Sequence, residues 1–187
     1  TTIALDSSGN IHIAYTGVGF ALKYVFRGVS GGSWSIETVD SKGSMSYADL
    51  VLDSNGKPHI AYFYAAGGSG NDGAAMYINK TSGSWSAPKI VDDHLTAGEY
   101  VALAIDSSGK VYLAYHARAI GAKDINAQLR FATNFSGSFI SQTIDEGDDS
   151  GDNKSGEFNS IVLDSSGRAY MTYFHGYGSD FKFAKEN

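Results

Sequence analysis

The chain has 187 residues, 42% of them hydrophobic and 18% charged, which suits a folded protein with a sizeable core rather than a disordered one. Fourteen basic residues against 20 acidic ones leave a net charge of −6, the wrong sign for gripping nucleic-acid phosphates or an anionic membrane surface. There is no cysteine, which closes disulfide and thiolate-metal chemistry, and no apolar run approaches the roughly 18 residues of a membrane span.

One phrase recurs four times: "LDSSGNIHIAY" at 5–15, "LDSNGKPHIAY" at 52–62, "IDSSGKVYLAY" at 105–115 and "LDSSGRAYMTY" at 163–173. In chain order, the first unit predicts short strands at "TIAL", "IHIAY", "LKYV" and within "GSWSIETVD". The second gives "DLVL", "PHIAY", "AMYI" and "GSWSAPKIVD", and the third "ALAI", "VYLAY", "LRFA" and "GSFISQTID". The fourth gives "SIVL", "AYMTY" and "FKFA", and the chain stops before a fourth strand. These runs are too short, and too rich in β-branched and aromatic residues, for helices.

Between the first two strands of each unit stands Asp-x-x-Gly, headed by Asp6, Asp53, Asp106 and Asp164. Asp first and Gly fourth suit a type I turn closed by a left-handed residue, with the carboxylate bonding the backbone two residues on. The four aspartates are therefore read as turn formers. His12 and His59 share a register with Tyr112 and Tyr170, and are read as buried hydrogen-bonding residues rather than metal ligands.

Tandem four-stranded units of this length predict an all-β fold, a β-propeller of four antiparallel blades at about 1–40, 46–92, 98–145 and 157–187. Residues 1–187 then form one domain whose last blade lacks its outer strand. Four blades can close a ring, and a compact ring is favoured; the alternative is half of a larger propeller, completed by missing repeats or by self-association. Lys182 and Lys185 would guard the open edge against unwanted pairing. Tyr15, Tyr62, Tyr115 and Tyr173, with Trp34, Trp85 and Phe139, would fill the wedges between blades. An opening at Thr1, without Met, reads as a processed or excised piece.

The stretch "VDSKGSMSYADLVLDSNGKPHIAYFY" at 39–64 resembles the tandem repeats of secreted bacterial β-propeller proteins, distantly like Asp-box (sialidase-type) propellers. The resemblance covers the whole chain and implies the fold, together with an extracellular or cell-surface location. It departs from the strict Asp box, in which Ser-x-Asp-x-Gly is followed by Trp. Sialidase chemistry would need an arginine triad facing the site, whereas the chain's arginines are Arg27, Arg118, Arg130 and Arg168 and two of them fall beside turns of the opposite face. No catalytic residue carries over.

The turns joining first to second and third to fourth strands are short and alike. The other two loop classes differ from unit to unit, and in a propeller they emerge together on one face. Binding residues concentrate on such loops. The ligand-binding candidates there are Tyr64, Asn71, Asp72, His116, Asp124, Asn126 and Tyr177, for stacking on sugar rings and bonding hydroxyls. A Ca²⁺ site is the one cofactor reading, from Asp145, Asp148, Asp149 and Asp152. The leading expectation is a non-catalytic, lectin-like module whose partner is a glycan. A surface-protein partner, in a structural or interaction role, is the second reading. A polysaccharide hydrolase or lyase using Asp72 and Asp124 is the third.

Overall fold

The computed structural model describes residues 1–66, 73–118, 127–134, 137–147, 155–176 and 180–186. Fifteen strands lie there: β1 (Thr2–Leu5), β2 (Ile11–Thr16), β3 (Leu22–Arg27), β4 (Ser35–Asp40), β5 (Ser44–Leu52), β6 (Pro58–Ala65), β7 (Gly73–Asn79) and β8 (Lys89–Asp92). The remainder are β9 (Thr96–Ile105), β10 (Val111–Arg118), β11 (Gln128–Thr133), β12 (Ile140–Asp145), β13 (Ser155–Leu163), β14 (Ala169–His175) and β15 (Asp180–Lys185). They form four antiparallel sheets in simple meander order, three of four strands and a last of three, as the repeat predicts.

Each sheet is seeded by the turn that the sequence names. Gly9, Gly56, Gly109 and Gly167 have φ of 71–85° and donate their amides to the carbonyls of Asp6, Asp53, Asp106 and Asp164. The Asp53 carboxylate accepts from the amides of Asn55 at 2.9 Å and Lys57 at 2.8 Å, and the other three turn aspartates repeat this. Local chemistry thus sets the register of every first hairpin.

The sheets stack face to face with one apolar cluster in each gap. Leu22 and Tyr24 meet Met45, Ile60 and Tyr62 between the first two blades. Tyr77 and Val91 meet Val101, Leu113 and Tyr115 in the second gap, and Leu129 and Phe131 meet Met171 and Tyr173 in the third. Alternate residues of one strand therefore serve two different cores, which is why β6 and β10 are buried on both sides.

A polar clamp crosses each gap beside these clusters. The Asp that ends one blade's outer strand accepts at Oδ2 from a tyrosine of the next blade: Tyr62 to Asp40 at 2.7 Å, Tyr115 to Asp92 at 2.6 Å and Tyr173 to Asp145 at 2.8 Å. Tyrosine hydroxyls buried in this way need an acceptor. Trp85 and Phe139 fill wedges as expected, each 5.2 and 5.4 Å respectively from Tyr24 and Tyr77 of the preceding blade.

His12 and His59 are buried, with Nδ1 at 2.7 Å from the Tyr24 hydroxyl and 2.5 Å from that of Tyr77. In the later blades the pair is exchanged as a unit. Tyr112 and Tyr170 take the histidine place and bond the turn aspartates directly, while Phe131 and Phe183 replace the tyrosine.

The favoured compact ring does not form. No extensive packing joins the first sheet to the last, and both end faces are apolar and exposed, with Ile3, Leu5 and Ile36 on one and Phe181 and Phe183 on the other. Trp34 is 44% exposed rather than wedged, since no described blade precedes it, and it lies under the Arg27 guanidinium instead. Lys182 does not guard the β15 edge; its ammonium turns into the last gap, 3.0 Å from Asp145. Four blades separated by the wedges seen here leave the circle open.

Candidate functional site

The first strands of successive blades lie side by side, so β1, β5, β9 and β13 line the inner wall of the array. Three of them carry a bulge at the same place. Pairing slips between Ser46 and Asp49, between Glu99 and Ala102, and between Glu157 and Ser160, opposite Tyr62, Tyr115 and Tyr173. The clamp tyrosine of the second strand thus marks where the first strand buckles.

At each bulge an aromatic residue takes a left-handed backbone: Tyr47 (φ 50°), Tyr100 (φ 50°) and Phe158 (φ 48°). For bulky L-residues this conformation costs about 1–3 kcal/mol, and it persists only where surrounding structure enforces it. Here it turns three rings toward one another. Tyr47 and Tyr100 have centroids 4.8 Å apart, as do Tyr100 and Phe158. The outer two rings remain open to solvent, Tyr47 at 42% and Phe158 at 65%. The result is an aromatic ledge crossing three blades, in the half of the inner strands nearer the variable loops.

Polar groups flank the ledge. Glu99 accepts from Arg118 Nη2 at 3.1 Å and lies 3.9 Å from His116 Nε2. The His116 ring stands edge-on to Tyr100 at 6.0 Å, and its Nδ1 is 2.8 Å from the Ser155 carbonyl. Together with Ala127 and Glu157, these residues and Tyr47 surround a small cavity of about 130 Å³. Burial, with the nearby Glu157 charge, Tyr47 and the Glu99 charge adding to it, pushes the Tyr100 phenol up to about 12, so it stays a neutral donor at physiological pH. The buried Nε of Arg118 has no partner among the described residues.

Two glycines let the blades close around this place. A Cβ on Gly98 would sit 2.7 Å from the Ala75 Cα, and one on Gly156 would sit 2.8 Å from the Leu129 Cα, both at positive φ. Backbone meets backbone across the gap, fixing neighbouring bulges in register.

Of the residues expected from sequence, His116 lies at this site but almost wholly buried, beneath Tyr100. Tyr64 lines a separate cleft of about 600 Å³ at the first gap. Asn71, Asp72, Asp124, Asn126 and Tyr177 lie outside the described residues. The Asp145 carboxylate is engaged by protein donors: the Tyr173 hydroxyl, the Lys182 ammonium and the Gly147 amide at 2.9 Å. Burial raises its pKa, but these three bonds outweigh it and hold the group at about 2. Asp148, Asp149 and Asp152 lie outside the described residues, and among those described no group of three His, Asp or Glu could hold a metal.

Sequence reasoning missed Tyr47, Tyr100 and Phe158 as site residues. The signal was present, an aromatic six positions before each of three turn aspartates, but in an ordinary strand such a residue is wall, not ledge. Glu99 and Glu157, each preceded by Gly and followed by the aromatic, repeat with it.

Fold and site define an open, propeller-type β-repeat protein with an aromatic ledge on its inner wall. No family model matches the chain, and no curated protein is similar to it in sequence. Among solved structures, a protein of unknown function from Dyadobacter fermentans aligns with a TM-score of 0.69 at 14% identity, over 99% of this chain and 64% of that one. The NanB sialidase of Streptococcus pneumoniae aligns at 0.58 and 16% identity, over 96% and 29%. A fucose lectin from Kordia zhangzhouensis, solved with methyl-fucoside, aligns at 0.50 and 15%, over 78% and 99%. The chain thus spans less than two thirds of the first two, and at these identities the likeness is one of fold. No helix among the described residues is long and apolar enough to cross a membrane.

Proposed function

We propose that the chain is a non-catalytic, lectin-like module that binds a glycan on its inner-wall ledge, at the cell surface or outside the cell. The observation that carries this is the stack of Tyr47, Tyr100 and Phe158, held in a costly backbone state with its outer rings exposed. Sugar C–H faces stack on such rings. The ion-paired Glu99 and Arg118 beside them supply an acceptor and a donor for hydroxyls. A fold shared with a fucose lectin and a sialidase supports a carbohydrate-related role.

A glycan array probed with the wild type and with a Tyr47→Ala/Tyr100→Ala double variant tests it, with each retained glycan assayed for cleavage. The expected result is a defined set of glycans bound intact, with affinity reduced at least tenfold in the variant. Equal retention by the variant would sink the ledge, and cleavage of a retained glycan would make the protein an enzyme. The second reading, an interaction platform, is favoured by the exposed apolar end faces. Pull-down of a protein partner without glycan retention would select it.

A further inference from the structure

The three polar clamps are built to one plan with one omission. At Asp92, Oδ1 accepts from the His94 amide at 2.9 Å, while Oδ2 accepts from the Tyr115 hydroxyl and also from Arg130 Nε at 2.6 Å. At Asp145, the same places are taken by the Gly147 amide, the Tyr173 hydroxyl and the Lys182 ammonium. At Asp40 there is the Lys42 amide at 3.1 Å and the Tyr62 hydroxyl, and among the described residues no cation within ion-pair distance.

Register explains why. Arg130 pairs with Tyr115 across the sheet and Lys182 with Tyr173, so the corresponding partner of Tyr62 is Met76. A thioether neither neutralises a carboxylate nor donates to it. Asp40 is nonetheless buried, as Asp92 is and more deeply than Asp145, and no salt-bridge partner approaches it among the described residues. A buried carboxylate without its cation is costly, and the other two gaps show how this fold normally answers that cost.

The place of the absent cation is open. Asp40 and Met76 both line the cleft of about 600 Å³ at this gap, within the size range of about 300–1,000 Å³ typical of small-ligand sites. Pro88 and the exposed Ile90 give it an apolar wall, Tyr64 an aromatic one, and Lys42 and Asp93 further polar groups. A ligand fitting these features carries an ammonium for Asp40, an apolar face for Met76 and Ile90, and hydroxyls for Lys42 and Asp93. An amino sugar combines all three on one ring.

We propose that the cleft between the first two blades binds the ammonium group of an amino sugar, which takes beside Asp40 the place that Arg130 and Lys182 hold beside Asp92 and Asp145. This site shares no lining residue with the ledge and stands independently of the function proposed there.

Titration calorimetry at pH 6 with a glucosamine tetrasaccharide, against its fully N-acetylated form, tests the proposal. The wild type binds the free amine at least tenfold more tightly than the acetylated sugar. Met76→Arg completes the clamp from within, so it keeps or raises the melting temperature while weakening binding at least tenfold. Ser82→Arg adds the same charge on an exposed turn elsewhere and leaves binding unchanged. A folded Met76→Arg protein that binds like the wild type overturns the proposal. So does equal binding of the acetylated sugar, or loss of binding in Ser82→Arg. Equal or tighter binding of N-acetyl-lysine amide also overturns it and reassigns the cleft to a lysine side chain.

Discussion

Arg130 donates from Nε to Oδ2 of Asp92 at 2.6 Å, and both side chains are almost completely enclosed between the second and third blades. Removing one member of such a pair strands the other without water. Asp92→Ala is therefore expected to destabilise the chain by about 3–5 kcal/mol, since Arg130 and Tyr115 both lose their acceptor. Urea unfolding measures this, and a loss below about 1 kcal/mol, the scale of an exposed pair, would show that the clamp is not a principal joint.

The turn aspartates should behave differently from the ledge. Asp53→Ala removes two amide bonds at its turn, and Asp106→Ala removes the same two together with the acceptor of the Ser108 and Tyr112 hydroxyls. The expected loss is about 0.5–2 kcal/mol, by analogy with a helix cap, with glycan binding unchanged. Loss of binding without loss of stability would place the site on the opposite face.

Tyr47→Gly is expected to uncouple stability from binding. The ring is 42% exposed and its loss gives up contacts with Tyr100 and Phe63, but a left-handed backbone costs Gly nothing, which offsets them. The melting temperature should hold or rise as glycan affinity falls. A sharp drop in melting temperature would instead make the ledge a structural rib.

Acid should destabilise the protein in two steps. Burial pushes the His12 and His59 imidazoles below 6.5, outweighing the pull of Asp6 and Asp53. The unfolded chain therefore takes up these protons first, and stability is lost as pH falls below 6.5 through the lowered folded values. The Asp145 carboxyl, held at about 2 against an ordinary 3.8, contributes stability above 3.8 that disappears as pH drops toward 2. Melting temperature against pH should show both limbs. His59→Tyr with Tyr77→Phe, the exchange already present in the later blades, should flatten the upper limb. An unchanged upper limb would exonerate the histidines.

The two end faces should make the chain associate. Ile3, Leu5, Trp34 and Ile36 at one end, and Phe181 and Phe183 at the other, expose apolar surface that every internal blade buries. Light scattering against concentration is expected to show oligomers that Trp34→Ser and Phe183→Ser together reduce. A monomer at millimolar concentration would contradict it.

The sequence alone determined the blades, because their signals are local. Asp-x-x-Gly closes a hairpin within four residues, alternation marks strands within six, and both repeat four times. It also revealed that His12 and His59 are buried, since tyrosine replaces them in register. What no local pattern carried was decided across the gaps between blades. Trp34 and Trp85 close the same Gly-Ser-Trp phrase, yet among the described residues only the second has a preceding blade to meet. Tyr47, Tyr100 and Phe158 read as strand residues until a bulge turns them left-handed and aligns them with rings about 50 residues away. Met76 reads as ordinary core, and only the comparison with Arg130 and Lys182 shows that it stands where the later blades place a cation. The ring stays open for the same reason: turn chemistry fixes each blade, whereas the angle between blades is set by the side chains wedged among them.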